Sequence, residues 1–288
     1  MRVFILVSLG VALWSSVAWA AKIPPSIYTD PVPDTQHPAK MSVLHIPSHG
    51  VAINGVAYLP AGEGPHPVVV ICHGLPGNEK NLDLAQAVRR AGWVAVTFNY
   101  RGAWGSPGTF SFQGSIDDAK AVLAYLRDPK TVSSLGLDPK RIVLAGHSMG
   151  GGITVQVASV DHDLAGAILI SAWDMSSDAS KNHGEVVAEM ADNMEALSGV
   201  TAESMANDLA AHTVGLSFAA AAPKLTQTQL LVLTSDDGLA NGADELVRTI
   251  LAKGGRHVSA IHVATDHGWS GSRIALQADV ITWLTQLH

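Results

Sequence analysis

The 288-residue chain carries 18 Lys and Arg against 25 Asp and Glu, a formal net charge of −7, and is 47% hydrophobic but only 15% charged. That length allows a sizeable core, and the acidic balance speaks against a nucleic-acid partner. The single cysteine, Cys72, excludes an intrachain disulfide. It closes the apolar run Val68-Val69-Val70-Ile71 and reads as a core thiol rather than a nucleophile.

Residues 1–20 read as a signal peptide. Arg2 supplies the positive start, Val3 to Leu13 a nearly unbroken apolar run, and Ala18-Trp19-Ala20 a small-x-small cleavage site, with the cut expected after Ala20. The run is shorter than the roughly 18 residues of a spanning helix. The expectation is therefore a periplasmic or secreted protein with no stable membrane anchor after cleavage. Residues 21–40 are Pro-rich and predict an extended N-terminal arm. From Met41 to Pro60 two short strands form a hairpin, with turns signalled at His49-Gly50 or Asn54-Gly55.

Val68–Cys72 and Trp93–Phe98 predict buried strands, with a helix from about Asn81 to Ala91 between them and a glycine-rich loop, Ala103 to Phe112, after them. Asp117–Arg127 predicts a helix with Ile116, Ala119, Val122, Leu123 and Leu126 on its inner side. Ile142–Ala145 is the next strand, and Ile153–Val160 the helix behind it. Leu164–Ser171, Gln229–Thr234 and Val258–Val263 complete the strands, and Leu239–Ala252 and Ser272–Leu287 the helices. Alternation of apolar strands with helices implies a mainly parallel sheet with helices on both faces, and functional groups beyond the carboxyl ends of its strands. The stretch 172–225 breaks the alternation: it holds no strand-like run, and Gly184–Leu197 and Ala202–Ala211 have helical propensity. It reads as a helical cap inserted into a core made of 41–171 and 226–288. Met190, Met194 and Met205, with Trp173 at its root, suit an adaptable apolar lid.

The chemistry centres on Gly146-His147-Ser148-Met149-Gly150, a G-x-S-x-G pentapeptide between a strand and a helix. In that setting the serine sits on a strained turn with its hydroxyl exposed above the sheet. A serine nucleophile needs a base, and the base an orienting acid. His267 follows the last strand, in Thr265-Asp266-His267-Gly268-Trp269, and is the candidate base. His147 points elsewhere from the turn and reads as packing; His73 reads as bracing the turn it precedes. The acid falls in Ser235-Asp236-Asp237-Gly238, where Asp237 is favoured because it opens the following helix and Asp236 reads as a turn brace. No metal-ligand spacing such as H-E-x-x-H occurs, and neither a metal nor a cofactor is expected.

The order Ser148, Asp237, His267, together with His73-Gly74-Leu75-Pro76-Gly77 and the Asn99-Tyr100-Arg101-Gly102 loop, resembles the α/β-hydrolase superfamily from about Val51 to His288. The resemblance implies an α/β-hydrolase fold, oxyanion-hole N–H groups from Leu75 and Met149, and acyl transfer to water. The implied partner is a small-molecule ester or amide. The acid loop departs from the usual G-x-x-D by being shorter. A carboxylic ester is the leading substrate class. A small peptidase or aminopeptidase, or a non-catalytic binding protein on this scaffold, are the alternatives.

Overall fold

The computed structural model describes residues 23–287, so the expected signal peptide lies outside the described residues. The chain opens with β1 (Lys40–Ser48) and β2 (Val51–Leu59), an antiparallel hairpin. Its two-residue turn is His49-Gly50, with φ of 44° and 85°. Positive φ at both positions matches the right-handed twist of the flanking strands. The second turn signal, Asn54-Gly55, lies instead inside β2, where Gly55 faces Leu44 on one side and Phe98 on the other. A Cβ there would press to 3.1 Å from the Thr97 carbonyl oxygen, so this glycine serves close strand packing rather than a turn.

Then follow β3 (His66–Cys72), α1 (Leu82–Arg90), β4 (Val94–Phe98), α2 (Phe112–Arg127), α3 (Pro129–Leu135), β5 (Leu137–His147), α4 (Met149–Ala158) and β6 (Gly166–Ile170). After these come α5 (His183–Ala191), α6 (Ala202–Ala211), α7 (Phe218–Ala221), β7 (Leu230–Ser235), α8 (Ala240–Ala252), β8 (Val258–Val263) and α9 (Arg273–Leu284). The eight strands form one sheet in the order β1-β2-β4-β3-β5-β6-β7-β8, parallel from β4 onwards. The chain steps from β3 outward to β4 and then back across β3 to β5. That reversal opens a crevice beyond the carboxyl ends of β3 and β5, the place where such sheets bind ligands.

Alternate residues of the central strands feed opposite layers. Val69, Ile71, Val143, Ala145 and Ile168 pack with Leu84 and Val88 of α1 and with Leu276 and Val280 of α9. Val68, Val70, Cys72 and Leu144 pack with Ile116 and Val122 of α2 and with Met149 and Ile153 of α4. β8 is the far edge, and its Ser259, Ala260, Ile261 and His262 are exposed, so the two-sided cover ends at β7.

Outside 172–225, three helices differ most from the sequence reading. α2 starts five residues early, at Phe112, because the Ser111 hydroxyl accepts from the Gly114 N–H and caps it. α4 starts directly at Met149, on the pentapeptide itself. α3 was not expected, although Asp128 caps it, Pro129 opens it and left-handed Gly136 closes it. Within 172–225 the described structure has the 3-10 turn Met175–Ser180, then α5, α6 and α7, and its strand-like pairing is a single bridge from Leu197 to Ala103. This segment shares the core: Met175, Met190, Met205 and Leu209 are buried in the cluster that holds Met149 and Ile153. Each such burial contributes roughly 1.5–3 kcal/mol.

Candidate active site

β5 ends at His147 and α4 begins at Met149, leaving Ser148 alone in the turn with φ 57° and ψ −121°. A residue with a side chain pays for this conformation unless its surroundings enforce it. Here they do. A Cβ on Gly146 would collide with the Gly150 carbonyl, and one on Gly150 with the carbonyl of Cys72. Both positions need glycine because strand β3, strand β5 and helix α4 meet at this corner. The Ser148 N–H donates to Ile170 O at 3.0 Å, and its carbonyl accepts from Trp173 N at 3.0 Å. The turn is thereby stitched to β6 and to the root of the 172–225 segment. Ser148 itself is 9% exposed.

The turn after β3 lies against this serine: a Cβ on Gly74 would be 3.0 Å from Ser148 Cβ. Met149 is the first residue of α4, so its N–H has no acceptor within the helix. The Leu75 N–H finds no acceptor among the described residues. The expected oxyanion donors therefore belong to two turns in contact around Ser148. His73 braces the β3 turn from beneath, its ring 4.5 Å from that of Tyr100, with Tyr100 Oη donating to His73 O at 3.1 Å. Burial pushes the His73 imidazole down to about 4, keeping it neutral. The same environment pushes the Cys72 thiol up to about 12, so it stays protonated.

His267 and Asp237 come together: His267 Nδ1 is 2.8 Å from Asp237 Oδ2. The Asp237 side chain is 2% exposed, whereas the imidazole is 41% exposed. Burial alone would raise the Asp237 carboxyl, but hydrogen bonds from His267, the Leu239 N–H, Ser171 and Ser235 outweigh it and hold the pKa below the ordinary carboxylate value. Asp236 turns outward and pairs with His262 Nε2 at 3.1 Å, with 64% of its side chain exposed. The turn geometry thus separates the two aspartates that the sequence left adjacent.

Several supporting residues escaped the sequence reading. Trp269, fully buried, donates from Nε1 to Ser171 Oγ at 3.0 Å, and Ser171 Oγ lies 2.7 Å from Ser235 Oγ. A chain of buried polar groups therefore runs to the Asp237 carboxylate. Asp118, buried inside α2, accepts from Arg101 N at 2.8 Å, Arg101 Nε at 2.7 Å and Ser48 Oγ. This anchors the Asn99–Gly102 loop, which spacing alone could not pair with a helix residue. Trp104 in the same loop donates from Nε1 to Pro76 O at 2.6 Å, tying the loop to the β3 turn. His147 does pack, but against His267 itself: the rings are 4.6 Å apart at 39°, and His147 Nε2 lies 2.8 Å from His267 O. Backbone strain marks the whole region. Of the six non-glycine residues with positive φ among the described residues, Ser148, Ser171, Trp269 and Trp104 all belong to it. Among the described residues no three His, Cys, Asp or Glu side chains converge as a metal site.

The family model for the alpha/beta hydrolase fold matches residues 67–241, more than half of the chain. The chain belongs to the α/β-hydrolase family. This α/β-hydrolase is 30% identical over 156 residues to an uncharacterized protein of Mycobacterium tuberculosis (strain CDC 1551 / Oshkosh), the match covering 53% of each. It is 27% identical over 128 residues to Cutinase 2 of Thermobifida cellulosilytica, covering 44% of this chain and 47% of that one. The chain spans about half the length of these curated relatives. Among solved structures, the thermostable carboxylesterase EstE1, cloned from a metagenomic library, superposes with a TM-score of 0.65 at 22% identity, over 88% of this α/β-hydrolase and 91% of that chain. At that identity the superposition speaks for the fold alone.

Proposed function

We propose that the protein is a serine hydrolase that cleaves carboxylic esters by acyl transfer to water. The observation that carries this reading is a strained, glycine-enforced Ser148 whose chain neighbour His147 lies against His267, which Asp237 holds through Nδ1. His267 engages Asp237 through Nδ1, which leaves Nε2 for the serine proton. As Ser148 Oγ bonds to the acyl carbon, Nε2 takes that proton and the carbonyl oxygen becomes an oxyanion. The N–H groups of Leu75 and Met149 stabilise this charge. Collapse breaks the bond to the leaving alkoxide, which takes the proton from Nε2. Water then repeats the sequence on the acyl-enzyme and releases the carboxylic acid. Asp237 stays ionised and balances the imidazolium.

The likeness to a protein named a cutinase supports an ester substrate. So does the apolar cluster under the 172–225 segment, whose half-buried members include Leu75, Trp173, Met194 and Leu197. The segment then acts as a cap over the acyl group. Export rests on residues 1–20, and an intact mass beginning at Ala21 in the periplasm or medium tests it.

A panel of p-nitrophenyl esters and aminoacyl p-nitroanilides tests the activity. Esters are expected to turn over faster than amides, and Ser148→Ala to lose about 10⁴-fold or more in kcat. Preference for the anilides would move the reading to a peptidase. Undiminished turnover in Ser148→Ala would overturn it.

A further inference from the structure

His147 occupies the last position of β5, paired with Ile170 of β6, immediately before the serine turn. Successive side chains diverge at the end of a strand. Ser148 goes to the turn, while His147 passes beneath the loop that follows β8. There its ring lies 4.6 Å from the His267 ring, and its Nε2 is 2.8 Å from the His267 carbonyl oxygen. A carbonyl oxygen only accepts, so Nε2 carries the hydrogen and Nδ1 is bare. Nδ1 is buried and has no hydrogen-bond partner among the described residues. A second proton would have to sit there, as a donor without an acceptor.

The rest of the loop is held from the other side. Arg273 Nη1 donates to Gly268 O at 3.1 Å while its guanidinium pairs with Asp83 on α1, and Ser270 N donates to Asp266 Oδ1 at 2.6 Å. These contacts fix the residues flanking His267. The His147 ring touches both the backbone carbonyl and the imidazole of His267.

We propose, on the triad reading above, that His147 is a positioning residue for His267, holding the base in one orientation through a hydrogen bond to its carbonyl and a ring contact to its imidazole. The bond fixes the height of the loop over the sheet, and the ring fixes the plane of the base, so that Nε2 keeps its aim at Ser148 in both halves of the reaction. When His267 becomes an imidazolium, the ring tilted against it at 4.6 Å is neutral rather than a second cation. A charged His147 would repel it. The charged or titratable groups around His147 are His267, Arg273 and Asp237. Burial first, and the charge at His267 next, push the His147 imidazole down to about 4, so it remains neutral at the pH where the base works.

The test compares His147→Phe, which keeps a ring and removes the donor, with His147→Gln, whose amide nitrogen reaches a similar distance. Both are measured for kcat, KM, the pH dependence of kcat/KM and thermal midpoint, beside wild type and Ser148→Ala. His147→Phe is expected to lose roughly 10- to 100-fold in kcat, the cost of a small misplacement of the base, with KM changed by less than about threefold and a displaced acid limb. His147→Gln is expected to recover most of kcat. Wild-type kcat and an unmoved acid limb in folded His147→Phe would overturn the proposal, as would a Gln variant no better than Phe. If His147→Phe does not fold, His147→Asn, too short to reach the carbonyl, must show the same loss in kcat. Full activity in Ser148→Ala would instead overturn the triad reading, so the two failures are distinguishable.

Discussion

Two adjacent aspartates close the turn after β7, and their surroundings differ. The Asp237 side chain is buried, receives the His267 Nδ1 contact at 2.8 Å and the Leu239 N–H at 2.9 Å, and lies beside the Ser171 and Ser235 hydroxyls, to which the Trp269 indole is linked. Asp236 is exposed and pairs with His262. Asp237→Asn is therefore expected to reduce kcat by about 10³- to 10⁴-fold by removing the charge that orients and balances the base. Asp236→Asn is expected to stay within about twofold, as exposed ion pairs of this kind contribute little. Steady-state kinetics on one activated ester separates the two, and equal losses would contradict the assignment. At this scale the sequence carried the residue types and their order, but not side-chain direction. Asp236 N donates to Thr265 O just past the β7–β8 pairing, and from there the Asp236 side chain lies outward and that of Asp237 inward. The same limit applied to His147, whose neighbour in the chain was legible while its contact with a residue 120 positions away was not.

At the scale of elements, the β3 turn is held by a loop with no regular structure of its own. Trp104 adopts φ 48°, donates from its indole to Pro76 O and from its backbone to Ala196 O, and carries Lys80 Nζ 4.1 Å above its ring. One residue therefore joins the proposed oxyanion turn to the segment before α6. Trp104→Phe keeps the ring and removes the indole donor. It is expected to lower kcat about 10-fold, since oxyanion donors act only at their set distance, with the thermal midpoint nearly unchanged. A loss of stability with kcat intact would show that Trp104 supports the fold rather than the turn. The strands were legible because buried β-branched runs such as Val68–Ile71 suit little else. The starts of α2 and α4 were not, because Ser111 and Ser148 set them through local geometry rather than through apolar period. Asp118 escaped for a related reason: on a helical pattern a buried carboxylate reads as a break in the inner face until its partners on Arg101 and Ser48 are seen.

Across the whole molecule, the buried histidines couple folding to pH. His73 and His147 are pushed down to about 4 in the folded chain by burial, while in the unfolded chain each titrates near 6.5. Between those values the unfolded chain binds protons that the folded chain refuses. Stability is therefore full above about pH 6.5 and falls as pH drops towards 4, by up to about 3 kcal/mol for each ring. Asp237, held low by its donors, adds a loss at still lower pH. Asp279, raised by burial, works in the opposite sense. Urea denaturation at a series of pH values should show the decline beginning below about pH 6.5, and flat stability from pH 7 to 4 would contradict it. The overall architecture was legible from the alternation of strands and helices. The sharing of one core by the 172–225 segment and the sheet was not. Met190 and Met205 at helical spacing fit an outer wall as well as an inner one, and only the packing of α5 and α6 on the α4 side distinguishes them.

Covalent labelling reads directly whether Ser148 is an activated nucleophile. The folded protein is treated with a fluorophosphonate beside Ser148→Ala and His267→Ala, and the adduct is followed by intact mass and mapped by peptide mass. The expected result is one adduct per wild-type chain, located on Ser148, and none on either variant. A folded wild-type protein that takes no label, or a Ser148→Ala variant that is labelled as fast as wild type, would contradict it.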